Sequence, residues 1–240
     1  MKIALIGRGR LATNLQRALL AAGHDVASVN SRTLSDLPSS ADIYIIAVKD
    51  SALVDVIAAS TAVVANGIFV HTAGSMSLSL FEGRTSRYGV FYPMQTFSKE
   101  RAVDFSEIPI FLEASDDATL AVLRTLASSI TRSVFELSSE ERQYLHLAAV
   151  FACNFPNHCY AMAAEILEEH GLPFDVMLPL IDETARKVHE LHPRQAQTGP
   201  AVRYDENVIH HQAELLAAHP QMKDLYEHLS QSIYKFHNND

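Results

Sequence analysis

The first twelve residues constrain this chain more than any other stretch. Met1–Ala12 reads MKIALIGRGRLA, a short apolar run passing directly into Gly7-Arg8-Gly9-Arg10-Leu11-Ala12. Strand, glycine turn and helix in that order form the G-x-G-x-x-A dinucleotide fingerprint in its required context. Gly7 suits the tight turn, Gly9 lets the backbone approach a pyrophosphate, and Ala12 keeps the helix close to the strand. The unpaired N–H groups where Arg10, Leu11 and Ala12 open the helix then offer an anion site.

The next strand ends at the position that reads the adenosine ribose. A carboxylate there suits NAD, whereas a nearby arginine suits the 2′-phosphate of NADP. This chain has Asn30-Ser31-Arg32-Thr33 and no acid. Arg32 can make a forked, charge-assisted contact to a phosphate, and Ser31 and Thr33 add donors. NADP is therefore preferred over NAD.

Residues 41–48 form a near-continuous apolar third strand, suited to a parallel sheet covered on both faces. It ends in Ala47-Val48-Lys49, at the carboxyl edge where ligands bind in such sheets. Asp50 is expected to cap the following helix. Two further strands release His71-Thr72-Ala73-Gly74-Ser75 and Tyr92-Pro93-Met94-Gln95-Thr96-Phe97 at the same edge. Strands alternating with Leu/Ala-rich helices predict an α/β fold with a doubly wound parallel sheet.

Past residue 138 the pattern is helical throughout. The fold expected is an N-terminal α/β domain over 1–138 followed by an all-α C-terminal domain over 139–240. Ser138 and Glu141 make a capping box, and the helix they open is expected to reach His170. Pro156 should kink it. His146, Val150 and Asn154 recur at helical spacing and are expected on a face toward the cleft. Residues 192–205 read as a long polar loop.

Composition excludes several alternatives. The net charge of −9 argues against a nucleic-acid surface, which needs a clustered basic face. No apolar run reaches the length of a membrane span, and the N-terminal run is too short for a secretory signal. Cys153 and Cys159, the two cysteines, fall on one predicted helix and are not expected to pair. Twelve histidines are scattered without metal-ligand spacing, so no metal site is expected. A cytoplasmic protein is the reading.

Four motifs then occur together and in order: HTAGS at 71–75, PMQTF at 93–97, HLAAVFACNF at 146–155 and TGPAVRYD at 198–205. With the glycine fingerprint, they resemble the bacterial Rossmann-like oxidoreductases with a helical C-terminal domain. These are distant relatives of pyrroline-5-carboxylate reductase and the 6-phosphogluconate dehydrogenase superfamily. The resemblance implies NADP binding, and a helical domain that serves substrate and forms a homodimer. One departure stands out: the residue before the PMQTF proline is usually histidine in this pattern, and here it is Tyr92.

A nicotinamide reductase needs the protein to position substrate and provide a proton, since the cofactor carries the hydride. His71 is the acid/base candidate, with Ser75 and Gln95 orienting a small-molecule substrate and His146 and Asn154 closing the cleft. The leading expectation is hydride transfer between NADP(H) and a small carbonyl or imine, or the corresponding alcohol or amine. An NADP(H)-binding regulator or scaffold without turnover is the alternative. An S-adenosylmethionine methyltransferase shares the glycine-rich loop, but Arg32 and the helical second domain speak against it.

Overall fold

The first strand sets the architecture through its pleat. In β1 (Lys2–Ile6), Ile3 and Leu5 enter one apolar cluster while Ala4 and Ile6 enter another, and all four are buried. A strand buried on both faces belongs inside a covered sheet. The computed structural model describes residues 1–238. It divides into two compact units, Met1–Asn154 and Phe155–Asp240.

The first unit follows β1 with α1 (Arg10–Ala21), β2 (Asp25–Val29), β3 (Ile43–Ile46), α2 (Asp50–Val63), β4 (Ile68–His71) and β5 (Tyr88–Pro93). It then adds β6 (Ile110–Ala114), α3 (Asp117–Ser128), β7 (Val134–Glu136) and α4 (Ser139–Ala149). The seven strands lie in the order β2-β1-β3-β4-β5-β6-β7. Strands β1 to β5 are parallel, as expected for a doubly wound sheet. Leu15 and Leu19 of α1 join Leu123 and Leu126 of α3 in the core on one face. Leu53, Val56 and Ile57 of α2 pack with Phe81 on the other.

Two local expectations change. Strand β6 runs antiparallel to β5, because the segment between them returns without a crossover helix and brings the Met94 N–H to the Pro109 carbonyl at 2.9 Å. Asp50 is not a cap: Lys49 holds the N-cap position of α2, and the Asp50 carboxylate accepts the Ser75 hydroxyl instead.

The capping box forms as read, Ser138 and Glu141 bonding reciprocally at the start of α4. Helical backbone then continues through a π-helical turn at Val150–Asn154 into α5 (Phe155–Glu169). This wide turn ends two residues before Pro156. It offers the slack that a proline's missing N–H and its clash with an upstream carbonyl require. The compact units thus divide inside the helix, 16 residues beyond the expected boundary at 138. The buried guanidinium of Arg142 ties the first turns of α4 to β6 and to the loop after β4.

The second unit holds α5, α6 (Leu178–Glu190), α7 (Pro193–Ala196), α8 (Pro200–Arg203), α9 (Glu206–Leu215) and α10 (Pro220–Asn238). The expected loop at 192–205 therefore contains two short helices, each opened by a proline at its first turn. Among its described residues only Ala201, Ala213 and Ser230 are buried. Glu165, Glu169 and His219 come together there, His219 Nε2 lying 3.0 Å from a Glu169 oxygen. No helix among the described residues is long and apolar enough to cross a membrane.

Candidate functional site

Strand β1 has β2 on one side and β3 on the other. Loops leaving the carboxyl ends of such a pair diverge and open a crevice. Gly7 sits at that point with φ +132°, and a Cβ there would lie 2.2 Å from the Ala47 carbonyl oxygen. Only glycine fits such an approach. A Cβ at Gly9 would meet nothing within 4 Å, so the ground above the turn is open. Helix α1 begins there with Gly9 at its N-cap, no side-chain cap and no acidic residue in its first turn. Its first N–H groups are thus positioned to receive an anion.

The crevice has a volume of about 960 Å³. Among the residues expected to bind cofactor, Gly7, Gly9, Arg10, Leu11, Asn30, Ser31, Arg32, Ala47, Val48 and Lys49 line it. Ala12 is buried behind it against the core. Thr33 does not line it; its N–H closes the turn on the Asn30 carbonyl at 3.0 Å. The Asn30 side chain accepts the Arg32 N–H at 3.1 Å, which fixes the Ser31-Arg32 corner.

Arg8 and Lys99 also line the crevice, and neither was singled out in the sequence. Lys99 arrives from the segment after β5, which Asn14 holds against α1 by donating to the Arg10 and Ser98 carbonyls. Five cations (Arg8, Arg10, Arg32, Lys49 and Lys99) and one carboxylate, Asp50, therefore line the crevice. A basic crevice with an open helix N-terminus and a glycine cradle fits a phosphate-bearing dinucleotide.

A second cavity of about 590 Å³ lies beside it, walled by residues that include Met94, Phe97, Leu145, Ala149 and Asn154. Tyr92, Gln95 and His146 line both cavities. At this shared wall the Tyr92 hydroxyl lies 3.0 Å from His146 Nδ1, with the two rings edge to face. Gly74 makes the pairing possible. A Cβ there would stand 2.6 Å from His146 Nδ1 and 2.9 Å from the phenol carbon of Tyr92 that bears the hydroxyl. Burial pushes the Tyr92 phenol above its ordinary pKa, against the opposing pull of the Arg142 charge. The phenol is thereby kept protonated, the form that donates.

His71 is placed elsewhere. Its ring is fully buried, stacked on Phe81, and lines neither cavity. Nδ1 accepts the Ala73 N–H at 3.2 Å, and Nε2 faces the Ser77 carbonyl at 3.4 Å. Burial, with Arg142 nearby, lowers its pKa to about 4. The imidazole, with both nitrogens engaged by backbone, thus stands apart from both cavities, unlike the acid/base position expected of it. Ser75 is likewise committed, its hydroxyl donating to Asp50 at 2.5 Å. Gln95 accepts the Thr96 N–H through Oε1 at 2.8 Å. Asn154 lines the second cavity from the π-helical turn, whereas Val150 does not.

Beneath the site, Arg142 is 1% exposed. Its guanidinium donates to Glu113 at 2.5 Å and to the Met76 carbonyl at 2.6 Å. Ser139 donates its N–H and hydroxyl to the same carboxylate. Helix α4, which carries His146, is thus fixed to β6 and to the loop after β4. The motif reading passed over Arg142 because the sequence shows it only as one charge in a polar helical turn.

Comparison with known proteins places the chain in a family. Residues 2–77 match the family described as NADP oxidoreductase, coenzyme F420-dependent, and residues 108–233 match a domain of unknown function, DUF2520. A Bacteroides fragilis protein to which NADP oxidoreductase activity is ascribed is 49% identical, with 98% of each chain covered and a TM-score of 0.94. A Thermotoga maritima protein shares the fold at 20% identity over 99% of this chain and 98% of that one, TM-score 0.71. An imine reductase from Streptomyces aurantiacus does so at 16% identity over 98% and 96%, TM-score 0.64. No functionally curated protein matches the chain.

Proposed function

Because the chain belongs to the Rossmann-like oxidoreductase family that joins an NADP oxidoreductase domain to a DUF2520 domain, we propose that it is an NADP(H)-dependent reductase or dehydrogenase. Its substrate is a small carbonyl or imine compound, or the corresponding alcohol or amine. The observation that carries this reading is the pair of cavities, one basic and one largely apolar, meeting at Tyr92, Gln95 and His146.

Gly7, Gly9 and the first turn of α1 would hold the diphosphate, and Arg32 with Ser31 would hold the 2′-phosphate. When bound, NADP(H) supplies or accepts the hydride. The chain's own task is the proton. Tyr92 Oη donates to the substrate oxygen or nitrogen and recovers a proton from His146 Nδ1, with which it is paired. Gln95 orients the substrate at the shared wall, and Asn154 bounds the far side. Residues 1–138 carry the cofactor, and the helical residues from 139 onward contribute His146 and Asn154.

The helical residues also form a homodimer in this reading. Leu178, Leu180, Val188, Leu215 and Phe236 are exposed by 45% to 70%, and so much apolar surface on so small a bundle fits a second copy. A cytoplasmic protein drawing on the cellular NADPH pool follows from the same reading.

Fluorescence titration with NADPH and NADH tests the cofactor assignment. Arg32→Ala is expected to weaken NADPH by about tenfold to a hundredfold and NADH by less than about twofold, the range for losing one charge-assisted forked contact. Equal weakening of both rejects NADP preference.

A further inference from the structure

We propose that the second cavity selects an uncharged, predominantly apolar carbonyl or imine compound and rejects its carboxylate-bearing counterpart. This rests on the reductase reading and assigns the substrate class. The two cavities share a wall but divide charge sharply. All five cations noted above face the first. The second is lined by no Lys, Arg, Asp or Glu among the described residues. Met94, Phe97 and Leu145 supply its apolar wall, and Ala148, Ala149 and Ala152 leave room along the helix. A volume of about 590 Å³ accommodates a ring-sized body.

A substrate carboxylate in that cavity would have to give up water for the neutral groups of Gln95, Thr96 and Asn154. Desolvating a charge without a countercharge is strongly unfavourable. The fixed cation nearest in sequence to His146 is Arg142, and it is not available. It is 1% exposed and already spans Glu113 and the Met76 carbonyl. An uncharged C=O or C=N compound needs only what the shared wall provides, one donor at Tyr92 and a neutral amide at Gln95. Bound NADPH would supply the hydride, its C–H bond breaking as it is oxidised to NADP+ and a C–H bond forming on the substrate. The π pair of the C=X bond becomes the X–H bond with the Tyr92 proton, so electrons and atoms balance.

The test is a calorimetric titration of the full-length protein, saturated with NADP+, against two probes that differ by one group. These are 4-phenylbutan-2-one and 4-(3-oxobutyl)benzoate. The uncharged ketone is expected to bind at least about tenfold more tightly than the benzoate. Ala149→Arg, which sets a cation on the apolar wall, is expected to shrink or reverse that ratio, with its NADP+ affinity serving as the check on folding. Equal or tighter binding of the benzoate by the unsubstituted protein overturns the substrate class. So does the absence of saturable binding for either ketone when NADP+ binds normally. Failure of NADP+ to bind overturns the reductase reading itself.

Discussion

Gly74 carries a hydrogen where any other residue would carry carbon, and the geometry around Tyr92 and His146 depends on it. A Cβ at 2.6 Å from His146 Nδ1 forces the imidazole, the phenol or both to move. Displacement of a reacting group by about an ångström costs on the order of a hundredfold in rate. Gly74→Ala is expected to lower kcat by roughly tenfold to a hundredfold while NADPH affinity changes by less than about threefold. Steady-state kinetics beside a cofactor titration separates the two. His71, a few residues away, has a different signature. Its ordinary pKa of 6.5 falls to about 4 in the fold, chiefly through burial and secondly through Arg142. Between those values the unfolded chain binds the proton and the folded protein refuses it. The stabilising contribution is therefore complete above pH 6.5 and is lost as pH falls toward 4, by about 3 kcal/mol in full. Thermal melts across this window are expected to show the decline, and His71→Phe is expected to flatten it.

At the scale of elements, the joint between α4 and the sheet is an ion pair rather than apolar packing. Removing one partner of a buried pair leaves the other charge stranded, at a cost of about 3–5 kcal/mol. Glu113→Gln is expected to destabilise the fold by this amount in chemical denaturation, with Arg142 already holding one unpartnered buried Nε. Replacing both partners by apolar residues is expected to recover much of the loss. None of this was legible in the sequence, where Glu113 and Arg142 lie 29 positions apart. The glycine turn was legible because its whole signal sits in six consecutive residues whose spacing has one structural meaning. The strands and helices were legible through their periods. What period cannot give is direction. His71 and Tyr92 both end strands at the same edge, yet His71 turns into the core and Tyr92 into the cavities. The sequence therefore located the edge but not which of its side chains faces the cavities. The π-helical turn escaped for a related reason: Pro156 announces a disturbance without saying whether the backbone bends or widens.

At the scale of the whole molecule, the helices of the second unit follow their sequence periods, but those periods do not say what their apolar faces meet. A stable dimer is expected, since so few described residues of that unit are buried within one copy. Sedimentation velocity at micromolar concentration checks it, and a single monomeric species rejects the homodimer. Lys99 carries the same lesson for the cofactor crevice, because only tertiary structure brings it beside Arg8, Arg10 and Arg32. Gathering these cations has an effect beyond contact. The protein as a whole carries −9, so its far field repels polyanions while one sheet edge attracts them. A mobile anion feels that edge only within a Debye length, about 8 Å at physiological ionic strength. Capture of the dinucleotide is thus as much a matter of ionic strength as of fit: dilute salt widens the funnel and quickens the encounter, and concentrated salt closes it without altering a single contact in the crevice.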